Sequence, residues 1–149
     1  MGILGQLFRV LSVTGQSRDA RVGGRRPLQL QINDARRALE QAMWDGKQAP
    51  APIRARIDEM MRTMIERDLE GEALEARKQI DAAIALYEAN VTDMSESSYA
   101  YERLLVIYTG QGARREAQRV ARACLIHAAG DLSDELRESC LQVLQIPRG

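Results

Sequence analysis

Apolar residues recur at helical spacing in several stretches of the chain, and polar or Gly/Pro-containing segments separate them. Ile32, Ala35, Leu39 and Ala42/Met43 predict a helix over about 28–44, stopped by Gly46. Asp45 to Pro52 reads as a short linker. Ile53, Ile57, Met60/Met61 and Met64/Ile65 then mark a second apolar face, with no proline between it and Gly71. A glycine inside such a pattern signals a kink, a helix end or a close helix–helix contact, and the pattern alone leaves these open. Met60, Met61 and Met64 read as core filler, with an adaptable binding surface as the alternative. Further on, Ser97 or Ser98 can cap a helix carrying Tyr101 to Tyr108, and Gly110 and Gly112 supply a tight turn. After Gly130, Asp131 or Ser133 can cap a last helix. Asp134 and Glu135 stand at its positive end, and Leu136, Cys140, Leu141/Val143 and Leu144 line it until Pro147.

Sliding the sequence against itself by 34 positions brings Gly71 onto Leu105, Leu74 onto Tyr108, Lys78 onto Gly112 and Ala83 onto Ala117. The same offset brings Tyr87 onto Ala121, Asn90 onto Cys124 and Val91 onto Leu125. A period of that length built from two short amphipathic helices resembles the tetratricopeptide repeat. The family's first helix has a bulky residue, a small one, then an aromatic or Leu. Its second helix has Ala, an aromatic four later, and Ala three after that. Three positions depart from the pattern: Leu105 for the small residue, Ala121 for the aromatic and Asn90 for the later Ala. The closing Pro is absent from both copies.

The resemblance implies an all-α fold, a short solenoid of stacked antiparallel hairpins with a capping helix. Residues 1–27 form a basic leader and tether, and 28–149 a single helical-repeat domain. Within that domain 28–63 is a divergent helix pair completing the stack, 64–131 the two hairpins and 132–146 the cap, since about three repeat units are usually needed for stability.

Composition sharpens this picture only slightly. Hydrophobic residues at 45% and charged residues at 28% of 149 positions suffice for one core, and 4% aromatics favour helices over a sheet. The chain is neutral overall, but residues 1–26 hold five Arg against one Asp, a net +4 balanced by the remainder. In that leader Ile3, Leu4, Leu7, Phe8 and Leu11 form an apolar stripe too short for a bilayer span, which takes about 20 residues. It docks on the domain as a helix, lies on a membrane surface through residues 1–13 or serves as a targeting peptide, or remains a disordered leader. A cytoplasmic location is the default, because Cys124 and Cys140 both occupy apolar helical positions and read as buried thiols.

No catalytic constellation stands out, and neither an enzyme nor a cofactor is expected. Cys124 and His127 form a C-x-x-H pair with Cys140 on the next helix, but structural zinc normally takes four ligands, so no metal is assigned. Gly110-Gln111-Gly112 lacks the Lys and the preceding strand of a phosphate loop.

In tetratricopeptide proteins the first helix of each hairpin lines a groove. The resemblance therefore implies a partner surface of Asp68, Leu69, Glu72, Glu75, Tyr99, Glu102, Arg103 and Val106. Asp68 and Glu72 stand where clamps for chaperone tails have Lys and Asn. The implied protein or peptide partner is therefore basic or apolar, with Tyr99 as an anchor. The bland alternative is a solvated acidic face. Arg114, Arg115, Arg119 and Arg122 form a basic stripe suited to phosphates, but without interleaved aromatics nucleic acid is not favoured. The alternative function is a membrane-surface or nucleic-acid accessory protein using that stripe and the leader. A homo-oligomer is compatible with either reading.

Overall fold

A computed structural model describes residues 24–48 and 51–145. The leader's apolar stripe and Pro147 lie outside the described residues. Those described are all-helical: α1 (Leu28–Trp44), α2 (Ala51–Ala76), α3 (Ile80–Thr92), α4 (Tyr99–Gly110), α5 (Arg114–His127), a 3-10 turn (Ala129–Asp131) and α6 (Asp134–Leu144). Among the described residues no helix is long and apolar enough to cross a membrane. The chain divides into two compact units, one ending at Thr63 and the other beginning at Met64, within α2.

In the first unit α1 buries only its N-terminal half, through Leu28, Gln29, Ile32 and Ala35. The apolar stripe does not stay covered to its end, because Met43 is exposed and Trp44 is 87% exposed. The expected linker is shorter than its prolines suggest. Helix α2 already begins at Ala51, and Pro52 sits in its first turn, where a missing N–H leaves no helical hydrogen bond unmade. Ile57 and Met60 are buried, while Met61 is partly exposed.

The second unit holds a core of Ala83, Tyr87, Tyr101, Leu104, Leu105, Val120, Ala121 and Cys124, among others, to which α3, α4, α5 and α6 contribute. Helix α2 runs unbroken through Gly71. A Cβ built on Gly71 would stand 2.5 Å from Cε1 and 2.7 Å from Cζ of Tyr87, so the glycine marks a close helix–helix crossing. At the positions 34 further on, the sizes are exchanged: buried Leu105 stands for Gly71 and buried Ala121 for Tyr87.

The loop closing the two halves of each pair is the same structure at the same offset. In the first, Lys78 N–H donates to Glu75 O at 2.9 Å and Gln79 N–H to Leu74 O at 2.9 Å. In the second, Gly112 N–H donates to Thr109 O at 3.1 Å and Ala113 N–H to Tyr108 O at 2.9 Å. Both are Schellman caps, whose pivot needs a left-handed backbone, at φ 62° for Lys78 and 67° for Gly112. Gly110, expected in the turn, is the last residue of α4.

Helix starts follow the sequence less closely. Ser133 caps α6 as its position predicts, accepting from Leu136 N–H at 3.1 Å. Ser98 occupies the N-cap of α4 without capping it. Its hydroxyl donates to Asp131 Oδ2 at 2.9 Å, and its N–H donates to the same oxygen at 2.8 Å. The carboxylate of the 3-10 turn therefore supplies the negative charge at this helix start.

Candidate functional site

In the second unit Glu75 joins Met64–Ala76 to α4 by an ion pair and to α3 by a hydrogen bond. Arg103 grips Glu75 in a two-point pair, Nη2 to Oε2 at 2.6 Å and Nε to Oε1 at 2.9 Å. Tyr87 donates its hydroxyl to Glu75 Oε1 at 2.8 Å, and its ring meets Tyr99 edge-on with centroids 6.1 Å apart and planes at 69°. The Arg103 guanidinium holds the Glu75 carboxyl below the usual carboxylate range. Burial, and then the Glu72 carboxylate, push the Tyr99 hydroxyl up.

One step towards the start of α2 lies a buried polar knot. Asn90 Nδ2 donates to Met64 O at 2.8 Å and to Asp68 Oδ1 at 2.7 Å. Arg67 Nη1 donates to Asn90 Oδ1 at 3.2 Å and to Asp93 Oδ2 at 2.6 Å. Asn90 and Asp93 are buried, and removing the Arg67 guanidinium would withdraw a charged donor from both. The Asn90 departure from the repeat pattern thus has a physical role: a small apolar residue there could hold neither α2 nor the end of α3. Burial pushes the Asp68 carboxyl above its ordinary value, and Asn90 and Arg67 oppose that rise.

The eight residues expected to line a partner surface therefore divide. Asp68, Glu75, Tyr99 and Arg103 spend their polar groups or rings on intramolecular contacts that fix the two helices. Leu69, Glu72, Glu102 and Val106 remain exposed, Leu69 at 61% and Val106 at 55%. Ile65, one turn before Leu69 and 54% exposed, lies on the same face of α2. The helical spacing allows either Met64 or Ile65 at this turn of the apolar face, and it is Met64 that is buried. The exposed apolar side chains are thus Ile65 and Leu69 on α2, one turn apart and followed by Glu72, and Val106 on α4, one turn after Glu102.

The basic stripe on α5 is interrupted. Arg119 is ion-paired with Glu88 of α3 and with Glu116, the latter at 2.7 Å, and Tyr108 donates to the same Glu88 oxygen at 2.6 Å. Arg114, Arg115 and Arg122 are exposed. The stripe's central charge is thereby neutralised and its arginine held against its own fold.

Cys124 of α5 and Cys140 of α6 are free thiols buried in the same core. His127 instead lines an open depression with Glu96, Ser97, Ala129, Gly130 and Asp131, and burial lowers its pKa. Among the described residues no three His, Cys, Asp or Glu side chains are grouped to hold a metal ion. No protein-family model matches the chain, and no curated protein or solved structure matches it either.

Proposed function

We propose that this chain is a non-enzymatic protein-interaction module of tetratricopeptide type, with Met64–His127 forming two stacked hairpins and α6 closing their end. The observation that carries the reading is the pair of exposed faces on Met64–Ala76 and α4. These two helices expose Ile65, Leu69 and Val106, with exposed carboxylates at Glu72 and Glu102. Exposed apolar side chains fixed on rigid helices lose little conformational freedom when covered, and the carboxylates select a partner that is basic as well as apolar. The occupant is a peptide or helix of that chemistry.

The test is capture of partners by the full chain and by a Glu72→Lys/Glu102→Lys variant, read by mass spectrometry, with helical circular dichroism as the control for folding. Both substituted side chains are exposed, so the fold is expected to persist. The variant should lose its partners and retain its helicity. A folded variant that keeps the same partners would overturn the assignment of this face.

A further inference from the structure

The second unit exposes two helix faces that combine apolar side chains with charges of opposite sign. On α2, Ile65, Leu69 and Glu72 stand on one face at i, i+4 and i+7, with the exposed carboxylate of Glu66 at its flank. On α5, Arg115, Arg119, Arg122 and Ile126 stand on one face at i, i+4, i+7 and i+11, and Ile126 is 71% exposed. The buried residues of that helix, Ala117, Val120, Ala121 and Cys124, occupy its other side. Arg119 is turned to Glu88 and Glu116. Among the described residues Arg115, Arg122, Glu66 and Glu72 have no ion-pair partner. The α2 face selects a partner both basic and apolar, and α5 carries that combination on a rigid helix.

We propose that the α5 face of one copy of this chain docks on the α2 face of a second copy. This rests on the interaction reading of α2 and names the occupant of that face. The order of residues sets the direction. Along α2 the apolar residues come first and Glu72 follows, whereas along α5 the arginines come first and Ile126 follows. Run antiparallel, Ile126 of one copy meets Leu69 of the other, and Arg122, one turn back, meets Glu72, one turn on. Run parallel, the same apolar match would set Arg122 against Ile65 and leave Glu72 without a cation. The apolar side chains supply the area withdrawn from water, and the charges select the partner and its register. The two surfaces differ, so the contact is heterologous, and a docked pair still offers one free face of each kind. Assembly therefore continues head to tail.

The full-length chain is followed by sedimentation velocity over a wide concentration range at low and high salt, with circular dichroism as the control for folding. The mass should rise with concentration beyond that of a dimer, and the association should weaken as salt rises from about 50 to about 500 mM. Glu72→Lys and Arg122→Glu each set like charges against one another, and each should weaken association by roughly 10-fold or more. Both side chains are exposed, so the helices are expected to persist. The two changes made in one chain restore opposite charges across the contact and should regain most of the loss. A natural chain that stays monomeric at every concentration would overturn the proposal without any variant. It would leave the α2 face to a foreign partner, which the capture experiment reads separately. Self-association that either folded single variant leaves intact, or that the folded double variant fails to restore, would overturn it as well.

Discussion

Replacing Gly71 by Ala sets two effects of opposite sign against each other. Ala is the better helix residue by about 1 kcal/mol in an interior position, and Gly71 is interior to a continuous α2. Its methyl would nevertheless lie 2.5 and 2.7 Å from two ring carbons of Tyr87, about 1 Å inside ordinary carbon–carbon contact. The ring is not free to yield. A shift of that size stretches the 2.8 Å hydrogen bond to Glu75 beyond bonding distance and disturbs the edge-on contact with Tyr99. Overpacking of this kind costs about 1–3 kcal/mol, and the aromatic contact adds about 0.5–1.5 kcal/mol. The net expectation is a loss of about 1–2 kcal/mol, read as a lower urea midpoint by circular dichroism at unchanged slope. In a Tyr87→Ala background the obstruction is gone, and Gly71→Ala should then stabilise by about 1 kcal/mol. The reasoning fails if Gly71→Ala raises the midpoint in the natural background, or if the sign does not reverse in the second.

Two further expectations concern the backbone and the buried knot. Lys78 holds a left-handed conformation that an L side chain reaches at a cost of about 1 kcal/mol, so Lys78→Gly should raise the urea midpoint and Gly112→Ala should lower it; equal midpoints would remove the loop argument. Asp68 has a carboxyl pKa raised by burial, so its charged form weakens the folded state. That penalty is absent below the unfolded pKa and complete above the folded one. Asp68→Asn keeps an acceptor for Asn90, and should therefore raise the melting temperature at pH 7 and leave it nearly unchanged near pH 3; a lower melting temperature at pH 7 would show that the attraction to Arg67 outweighs desolvation.

The helices and their loops were legible because they depend on local chemistry: apolar spacing, Gly112, Ser133, and the matching of Lys78 with Gly112. Pro52 misled the reading of where α2 starts because a first-turn proline and a linker proline look alike in sequence. The outward faces were only half legible. Leu69, Glu72, Glu102 and Val106 follow from register along their helices. The withdrawal of Glu75 into a pair with Arg103, and of Asp68 into a bond with Asn90, joins residues more than twenty positions apart. No helical period encodes such a pairing. The same holds for Arg119, whose partner Glu88 sits on another helix, and for Ser98, whose hydroxyl is claimed by Asp131.

The close approach of Gly71 to the Tyr87 ring makes α2 and α3 matched parts. At the 34-residue offset α5 carries Ala121 where α3 carries Tyr87, so α5 set in the place of α3 at that register would leave a hole beside Gly71. Any recombined or redesigned version must move α2 and α3 as a cassette, and mutational drift at Gly71 or Tyr87 is permitted only in step with its opposite number.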